Sequence, residues 1–333
     1  MEAILNKIRL TLPSANSFDF ASGSAIAKMF RSWILAGTGI LVFLFMWHVA
    51  ASNINTSLGQ FPGPAQVWEQ VGALKADYQR EKQRERDFMV RQQERNAERL
   101  AVDPDYDARI RPYTGRPTFV DQVQTSLLTV GFGFFIATII AIPLGIICGL
   151  NSSIYSAINP LIQVFKPVSP LAWLPLVTMV VSALYVSDSE VFTKAFVTSA
   201  ITVSLCSLWP TLINTTVGVI SVDKDLINVS RVIQLPAHLH VTKIVLPSAV
   251  PMIFTGMRMS LATGWMVLIA AEMLAQNPGL GKFIWDEFQN GSSDSLGRIM
   301  VAVIAIGLIG FALDKIMLLI QRKVSWDKTA VLR

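Results

Sequence analysis

The sequence predicts an all-α, polytopic membrane protein with six transmembrane helices. Of its 333 residues, 52% are hydrophobic and only 15% are charged, whereas a typical soluble domain carries about 25% charged residues. Several apolar runs reach the length of about 20 residues that a helix needs to cross a bilayer. These observations exclude a disordered protein, a small disulfide-stapled domain and most soluble enzymes.

Six apolar runs are predicted to cross the membrane. The first, at residues 33–52, is interpreted as an uncleaved anchor, because its polar lead is long and its apolar run exceeds the about 7–15 residues of a signal peptide. The other five cover residues 125–150, 157–185, 191–220, 246–274 and 299–320.

Small residues and prolines distinguish two of these runs. The second contains glycines that suit close helix packing, namely Gly131, Gly133, Gly145 and Gly149. The third is broken by prolines, namely Pro160, Pro167, Pro170 and Pro175. Such breaks are tolerated at membrane depth only where protein or water satisfies the freed backbone groups.

The charges of the short loops predict that both termini are cytoplasmic, because basic residues favour that side. The predicted cytoplasmic loops and tail contain Lys224, Arg231, Lys243, Arg322, Lys323, Lys328 and Arg333. The predicted segments are a cytoplasmic lead (1–32), the first span, a periplasmic segment (53–120), a permease core (121–323) and a cytoplasmic tail (324–333).

The periplasmic segment contains a charged insertion at residues 75–116, with 11 Lys and Arg and 9 Asp and Glu. A stretch from about Ala65 to Leu100 lacks proline and is rich in Gln, Glu and Arg. It predicts a solvated helix, followed by a loop at 103–117, and a flexible charged loop is the alternative. We expect the insertion to form a docking or clasping element.

The sequence contains no recognisable catalytic motif, so no catalytic residue and no metal site is predicted. The nearest approach to a phosphate-binding loop is the stretch from Gly279 to Phe283. In the motif G-x-x-x-x-G-K-[S/T], Gly281 and Lys282 align with the second glycine and the lysine. Gln276 then stands in place of the first glycine, and Phe283 in place of the hydroxyl residue. Three ionisable residues lie at predicted membrane depth and are candidate functional groups, namely Lys166, Arg258 and Glu272. Arg258 and Glu272 lie about 21 Å apart along one helix face and cannot pair directly.

The loop at residues 221–247 is a polar, helix-capable segment closed by Leu246 and Pro247. It resembles the EAA loop of ABC importer permeases, in which Glu-Ala-Ala precedes Gly and then Ile-x-Leu-Pro at fixed spacing. Residues 228–230, Gln234 and residues 244–247 have this spacing. Asn228 stands in place of the Glu, and Gln234 in place of the Gly.

The rest of the core resembles the nitrate, bicarbonate, cyanate, sulfonate and taurine branch of these permeases, and nitrate permeases most of all. The resemblance covers roughly residues 35–73 and 118–323, and is carried by residues 170–175, 209–218, 253–258, 270–274 and 281–286. It implies an ABC importer type I permease fold in a bacterial inner membrane. It also implies ATP-driven import of nitrate or nitrite into the cytoplasm by alternating access, with bicarbonate, cyanate, sulfonates or taurine as alternative substrates.

The resemblance also implies the partners. A second copy of the chain forms a homodimer, two cytoplasmic ATPase subunits bind ATP and Mg, and a periplasmic binding protein delivers the substrate. No cofactor is expected on this chain, and no nucleic acid. Residues expected to couple the chain to the ATPase are Asp225, Asn228, Ser230, Arg231, Gln234, Leu246 and Pro247. For Arg231, a solvated face or a lipid headgroup contact is the alternative.

For an anionic substrate, Lys166 and Arg258 are hypothesised to attract the anion. The alternatives are that Lys166 extends to the membrane interface and that Arg258 forms a structural pair with a neighbouring helix. Glu272 is assigned to a gate or to a structural hydrogen bond. Three tryptophans either narrow the path or pack, namely Trp173, Trp209 and Trp265. A gradient-driven transporter or channel and an intramembrane enzyme are the remaining alternatives.

Overall fold

The computed structural model describes residues 25–56, 59–103, 106–186, 193–292 and 294–324, with side chains described from residue 34 onward. The described residues are helical apart from short connections and one two-residue hairpin, which confirms the all-α prediction. Residues 325–333 of the predicted tail and residues 1–24 of the predicted lead lie outside the described residues.

The first of two compact units ends at Pro64. It contains helix α1 (Ala25–Asn53) and an antiparallel hairpin of β1 (Asn55–Thr56) and β2 (Gly59–Gln60). Apolar side chains of α1 such as Leu41 and Phe45 are largely exposed, as expected for a helix that contacts lipid.

The second unit contains the remaining helices. They are α2 (Pro64–Val102), α3 (Phe119–Leu150), α4 (Ser152–Phe165), α5 (Pro170–Leu184), α6 (Lys194–Ile220), α7 (Lys224–Val232), α8 (Ala237–His240), α9 (Leu246–Ala275), α10 (Leu280–Asn290) and α11 (Ser295–Val324). A π turn, Val241–Val245, joins α8 to α9. The helix predicted from about Ala65 to Leu100 corresponds to α2.

Five of the described helices are long and apolar enough to cross a membrane. The predicted third span is two helices, α4 and α5, which meet at an angle of 100°. The pair counts as a sixth span if it crosses the membrane as one unit. Pro170 begins α5, and Ser169 caps that helix by accepting a hydrogen bond from the Leu171 amide at 3.3 Å.

Helix α6 packs against both α3 and α9 and forms the centre of the bundle. A Cβ atom at Gly133 or Gly145 of α3 would collide with α6, so these glycines permit close packing, as predicted. Gly131 is different, because it faces open space with no atom within 4 Å of an added Cβ. Gly131 therefore makes no close helix contact within the described chain, and its predicted role in packing stays a prediction.

Hydroxyl groups join the packed helices. Ser204 of α6 donates to the Gly133 carbonyl at 2.8 Å, and Thr216 donates to the Gly145 carbonyl at 3.2 Å. Thr211 of α6 and Ser260 of α9 are hydrogen-bonded at 2.7 Å. Hydrogen bonds of this kind join helices where no water can take part.

The two ends of the bundle differ. One end, here called the α7 end, carries α7 and the π turn. The other, here called the α10 end, carries the start of α3, the end of α9, α10 and the start of α11. Residues 275–298 form this end. Most of them belong to α10 and α11.

Helix α2 is attached to the α10 end through its first half. Asp77 pairs with Arg298 at 3.2 Å, and Arg298 also pairs with the buried Glu287 of α10 at 3.3 Å. Gln70 donates to Asp294 at 3.3 Å. The insertion is therefore tied to the bundle by a network of ion pairs and hydrogen bonds.

Candidate translocation path and coupling segment

Lys166 lies at the 100° bend between α4 and α5. It is the C-cap residue of α4, and its side chain is exposed. Among the described residues, no carboxylate lies within ion-pair distance of its ammonium group. The bend therefore presents an unpaired cation.

Aromatic rings hold this bend. The Phe165 ring lies 5.8 Å from the Trp173 ring of α5 and 6.2 Å from the Trp209 ring of α6. The planes of the Phe165 and Trp209 rings are nearly parallel, at an angle of 8°. Pairs at these distances stabilise beyond simple apolar burial. Trp173 and Trp209 thus fix the residues on either side of Lys166 against α6, and both indoles remain partly accessible.

Arg258 is not an unpaired cation. Its Nε donates to Asp314 Oδ1 at 2.9 Å, and its Nη2 donates to Asp314 Oδ2 at 3.1 Å. This two-pronged geometry joins α9 to α11 and is the strongest form of guanidinium–carboxylate pairing. The sequence analysis did not identify Asp314, although an acidic residue within the sixth apolar run was a signal that could have found it.

Trp265 lies in the packed core. It is 4% exposed, and its indole N–H donates to the Ile306 carbonyl of α11 at 3.0 Å. Its ring packs with Val203, Leu261 and Leu268 in one apolar cluster. This geometry is that of a packing residue, which was one of the two interpretations left open by the sequence.

Glu272 is fully buried at the α10 end. Ser126 of α3 donates to its carboxylate at 2.7 Å, and the Gly281 amide donates to Oε2 at 2.9 Å. Ser126 in turn accepts a hydrogen bond from the Leu280 amide at 2.9 Å. The carboxylate therefore caps the N-terminus of α10, where exposed backbone amides favour an anion.

The glycines beside Glu272 make this arrangement possible. A Cβ atom at Gly279 would overlap the Glu272 carboxylate, and one at Gly281 would overlap the Ile269 carbonyl. The glycine-rich stretch that superficially resembled a phosphate-binding loop therefore receives a carboxylate of the same chain. A basic partner for Glu272, as a gate would need, is absent from the part of the chain that the structure describes.

The candidate coupling segment, residues 221–247, begins with a capped helix at the α7 end. Asp223 accepts a hydrogen bond from the Asp225 amide at 2.8 Å and starts α7. Four polar residues on α7 are exposed, namely Lys224, Asp225, Asn228 and Arg231. Three apolar residues, Leu226, Val229 and Val232, are 46%, 55% and 81% exposed.

Ser230 and Gln234 determine how the chain leaves α7. Ser230 is buried, and its hydroxyl is hydrogen-bonded to His240 Nδ1 at 2.7 Å. Gln234 has a φ angle of +50°, in the left-handed region that favours glycine. Position 234 is the one at which the EAA pattern has Gly, so the backbone shape explains that pattern although the side chain departs from it.

Leu246 and Pro247 begin α9. Leu246 is half-buried and packs against the cluster formed around Val245, Ala249 and Ile253. The ring of Pro247 would clash with the Lys243 carbonyl in a regular α-helix, and the π turn lies at that place. The coupling segment therefore continues into the span without a flexible connection.

These features define a class of protein, namely a multi-pass permease subunit of an ABC importer. The chain belongs to the family of binding-protein-dependent transport system inner membrane components, whose family model matches residues 141–326. The prediction of such a permease is confirmed.

Curated relatives cover most of the chain. It is 36% identical to the nitrate import permease protein NrtB of Synechocystis sp., over 85% of this chain and 86% of that protein. It is 35% identical to NrtB of Leptolyngbya laminosa, over 98% and 99%. It is 33% identical to the bicarbonate transport system permease protein CmpB of Synechococcus elongatus, over 87% and 88%.

The fold is also similar to that of solved structures. An inward-facing structure of the MetNI methionine ABC transporter matches with a TM-score of 0.52 and 18% identity, over 62% of this chain and 95% of that chain. A second crystal form of the same transporter matches with a TM-score of 0.51, 16% identity and coverage of 62% and 96%. At this identity the likeness shows the fold alone.

Proposed function

We propose that this permease subunit imports nitrate or nitrite, with bicarbonate as the second candidate. The observation that carries the proposal is the near-complete match to nitrate import permeases, which reaches 98% of the chain. Bicarbonate remains the second candidate because the match to a bicarbonate permease is only slightly weaker, at 33% identity. Both substrates are small anions and require similar recognition.

The proposed importer contains two copies of this chain, two ATPase subunits that bind ATP and Mg, and a binding protein. Both termini face the cytoplasm, and the α10 end faces outward. The charge distribution supports this orientation. Basic residues cluster at the α7 end and the end of α11, namely Lys224, Arg231, Lys243, Arg322 and Lys323.

Helix α7 docks on the ATPase. Its exposed apolar residues Leu226, Val229 and Val232 supply the contact surface, and Asp225 and Arg231 supply charges at its rim. The buried hydrogen bond between Ser230 and His240 ties α7 to the start of the span. Movement of the ATPase is thereby transmitted to α9, and the path opens alternately to each side.

Lys166 is the cation that the proposed path offers to the anion. The ammonium group is unpaired in the described chain, and the bend that carries it is fixed by the Trp173 and Trp209 rings. Arg258 is already neutralised by Asp314 and serves to join α9 to α11. We therefore assign attraction of the anion to Lys166, and a structural role to Arg258 and Glu272.

Stimulated ATP hydrolysis tests the proposal. The complete importer is placed in nanodiscs, and the binding protein is added with nitrate, bicarbonate or taurine. The proposal predicts that the nitrate-loaded form stimulates hydrolysis most. Stimulation by the bicarbonate-loaded form alone would contradict nitrate as the substrate, but it would leave the assignment to an ATP-driven importer in place. An unchanged hydrolysis rate with every loaded form would contradict both substrates.

A further inference from the structure

The distal half of α2 forms an arm with the segment that follows it. We define the strap as residues 106–116, and the arm as residues 86–102 together with the strap. Gln92 and Asn96 donate to the Arg109 carbonyl at 3.2 and 3.4 Å. The Phe88 ring packs against the Tyr113 ring at 5.5 Å. The strap is therefore fixed along the helix and does not form a loose loop.

The helical part of the arm, residues 86–102, makes no side-chain hydrogen bond or ion pair with the bundle among the described residues. At about 1.5 Å per residue, the 39 residues of α2 extend for about 58 Å, and the first half makes the contacts with α10 and α11. In the described chain, the hydrogen bonds of residues 86–102 remain within the arm or go to Gln83. The arm therefore offers its surface to a partner.

A basic cleft of about 600 Å³ lies between α2 and the strap. The charged residues that line it are four arginines and one aspartate, namely Arg95, Arg99, Arg109, Arg111 and Asp107. Their net charge is +3. All four arginines are exposed. Two of them come from the helix and two from the strap, so the cleft exists only because the arm is folded.

Three of the four guanidinium groups have no ion pair among the described residues, and two of the three make one hydrogen bond each: Arg95 Nε donates to the Arg91 carbonyl at 3.2 Å, and Arg99 Nη1 donates to the Tyr106 hydroxyl at 2.8 Å. Asp107 pairs with Arg109 at 3.0 Å. No carboxylate among the described residues pairs with Arg95, Arg99 or Arg111. The Arg99 guanidinium is held 5.2 Å from the Tyr106 ring centre. Guanidinium groups bind carboxylates through paired N–H donors.

An apolar groove adjoins the cleft on the same arm. It has a volume of about 290 Å³ and is lined mainly by Met89, Ala97, Leu100, Ala108 and Ile110. An apolar patch next to a charged surface is the pattern of a protein–protein interface. A small anion would need neither the groove nor three guanidinium groups spread over such a volume.

We infer that the arm docks an acidic, carboxylate-bearing surface of the substrate-binding protein through this cleft. The inference rests on the proposed function, which places the α10 end and its arm outside the cytoplasm. The charge of the cleft steers the partner and accelerates association. The arm thereby positions the binding protein over the permease.

The test measures binding of the binding protein to the complete importer in nanodiscs of zwitterionic lipid. The variant Arg95→Glu with Arg111→Glu reverses two unpaired charges, one on each side of the cleft. The matched control, Arg86→Glu with Arg91→Glu, makes the same charge change on the same helix at residues that do not line the cleft. We expect the cleft variant to lose about tenfold or more in affinity, mainly through slower association at low salt, and the control to stay within about twofold.

Other outcomes overturn the inference. Equal losses in both variants would show general charge attraction and no role for the cleft. Unchanged affinity of the cleft variant for the binding protein would show that the cleft does not take part in docking. A loss confined to nanodiscs with anionic lipid would assign the arginines to lipid headgroups. Because this assay does not depend on which anion is carried, failure of nitrate transport in the unmodified importer would leave the docking result intact.

Discussion

Arg258 and Asp314 form a bidentate ion pair between α9 and α11, with donor–acceptor distances of 2.9 and 3.1 Å. The Arg258 and Asp314 side chains are 23% and 40% exposed, so the pair is only partly buried within the bundle. A charge at membrane depth is costly without a partner. The pair with Asp314 therefore explains how the Arg258 charge is accommodated within the bundle.

Removing one member of this pair should be worse than removing both. We expect Asp314→Ala to destabilise the permease by about 1–3 kcal/mol, because Arg258 would lose its partner. The double variant Arg258→Ala with Asp314→Ala should recover part of that loss. Thermal unfolding of the purified permease measures this, with Lys315→Ala as the neighbouring control. Additive losses in the double variant would contradict the pairing.

Lys166 should be required for transport and dispensable for assembly. We expect Lys166→Ala to lower anion uptake by about tenfold, equivalent to about 1.4 kcal/mol of lost interaction. Lys166→Arg should retain most of the uptake, because it keeps the charge. The measurement is uptake by importers whose subunit composition has been verified. If Lys166→Ala transports as well as the unmodified protein, Lys166 does not contact the anion.

Glycine should be tolerated better at position 234 than at position 228 within α7. The φ angle of +50° at Gln234 is strained for a residue with a Cβ atom. Gln234→Gly should therefore be neutral or stabilising, whereas Asn228→Gly within α7 should cost about 0.3–0.5 kcal/mol, because Asn is itself a poor helix former. Gln234→Val should be the least stable of the three. Thermal midpoints of the variants give the order, and a destabilising Gln234→Gly would contradict it.

The glycines next to Glu272 should resist substitution. We expect Gly281→Ala to destabilise by at least about 1–3 kcal/mol, because its methyl group would overlap the Ile269 carbonyl. Gly131→Ala is the matched control, because the methyl group would meet no atom within 4 Å, and should stabilise by about 0.5–1 kcal/mol. Unfolding in detergent compares the two, and similar effects would refute the proposed crowding.

The strap should loosen at both extremes of pH. Tyr113 donates to Glu81 at 2.7 Å, which lowers the pKa of Glu81 and raises the pKa of Tyr113. The contribution of Glu81 is lost as pH falls through its lowered pKa, and that of Tyr113 as pH rises through its raised pKa. The protection of residues 106–116 against hydrogen exchange, taken relative to the intrinsic rate of an unstructured peptide at each pH, should therefore be greatest between these limits.

Tyr113→Phe is the control for this dependence. The variant removes the hydrogen bond, so protection of the strap should be lower at neutral pH and should no longer fall at the acidic limit where Glu81 titrates. Protection that does not change with pH in the unmodified protein would show that the Glu81–Tyr113 bond does not hold the strap.

Features that depend on local sequence were predictable. The apolar runs located the long helices, and the prolines located the break between α4 and α5. The composition of the insertion predicted its helix within a few residues of the observed Pro64–Val102. The spacing of the coupling loop indicated the family even though Asn228 and Gln234 depart from its pattern.

Features that depend on tertiary contacts were not predictable. The 100° bend is set by packing of the Phe165, Trp173 and Trp209 rings, and a run of prolines does not specify an angle. The partners of Glu272 and Arg258 come from helices far away in the chain. Ser126 and Glu272, for example, are 146 positions apart. A hydrogen bond over that separation leaves no periodic signal in one sequence.

The decisive experiment is ATP-driven uptake of labelled nitrate into proteoliposomes. The vesicles contain this permease assembled with its ATPase, and the binding protein is supplied on the outside. We expect nitrate accumulation that requires both ATP inside and the binding protein outside. Accumulation that ignores ATP and follows an imposed ion gradient would contradict it.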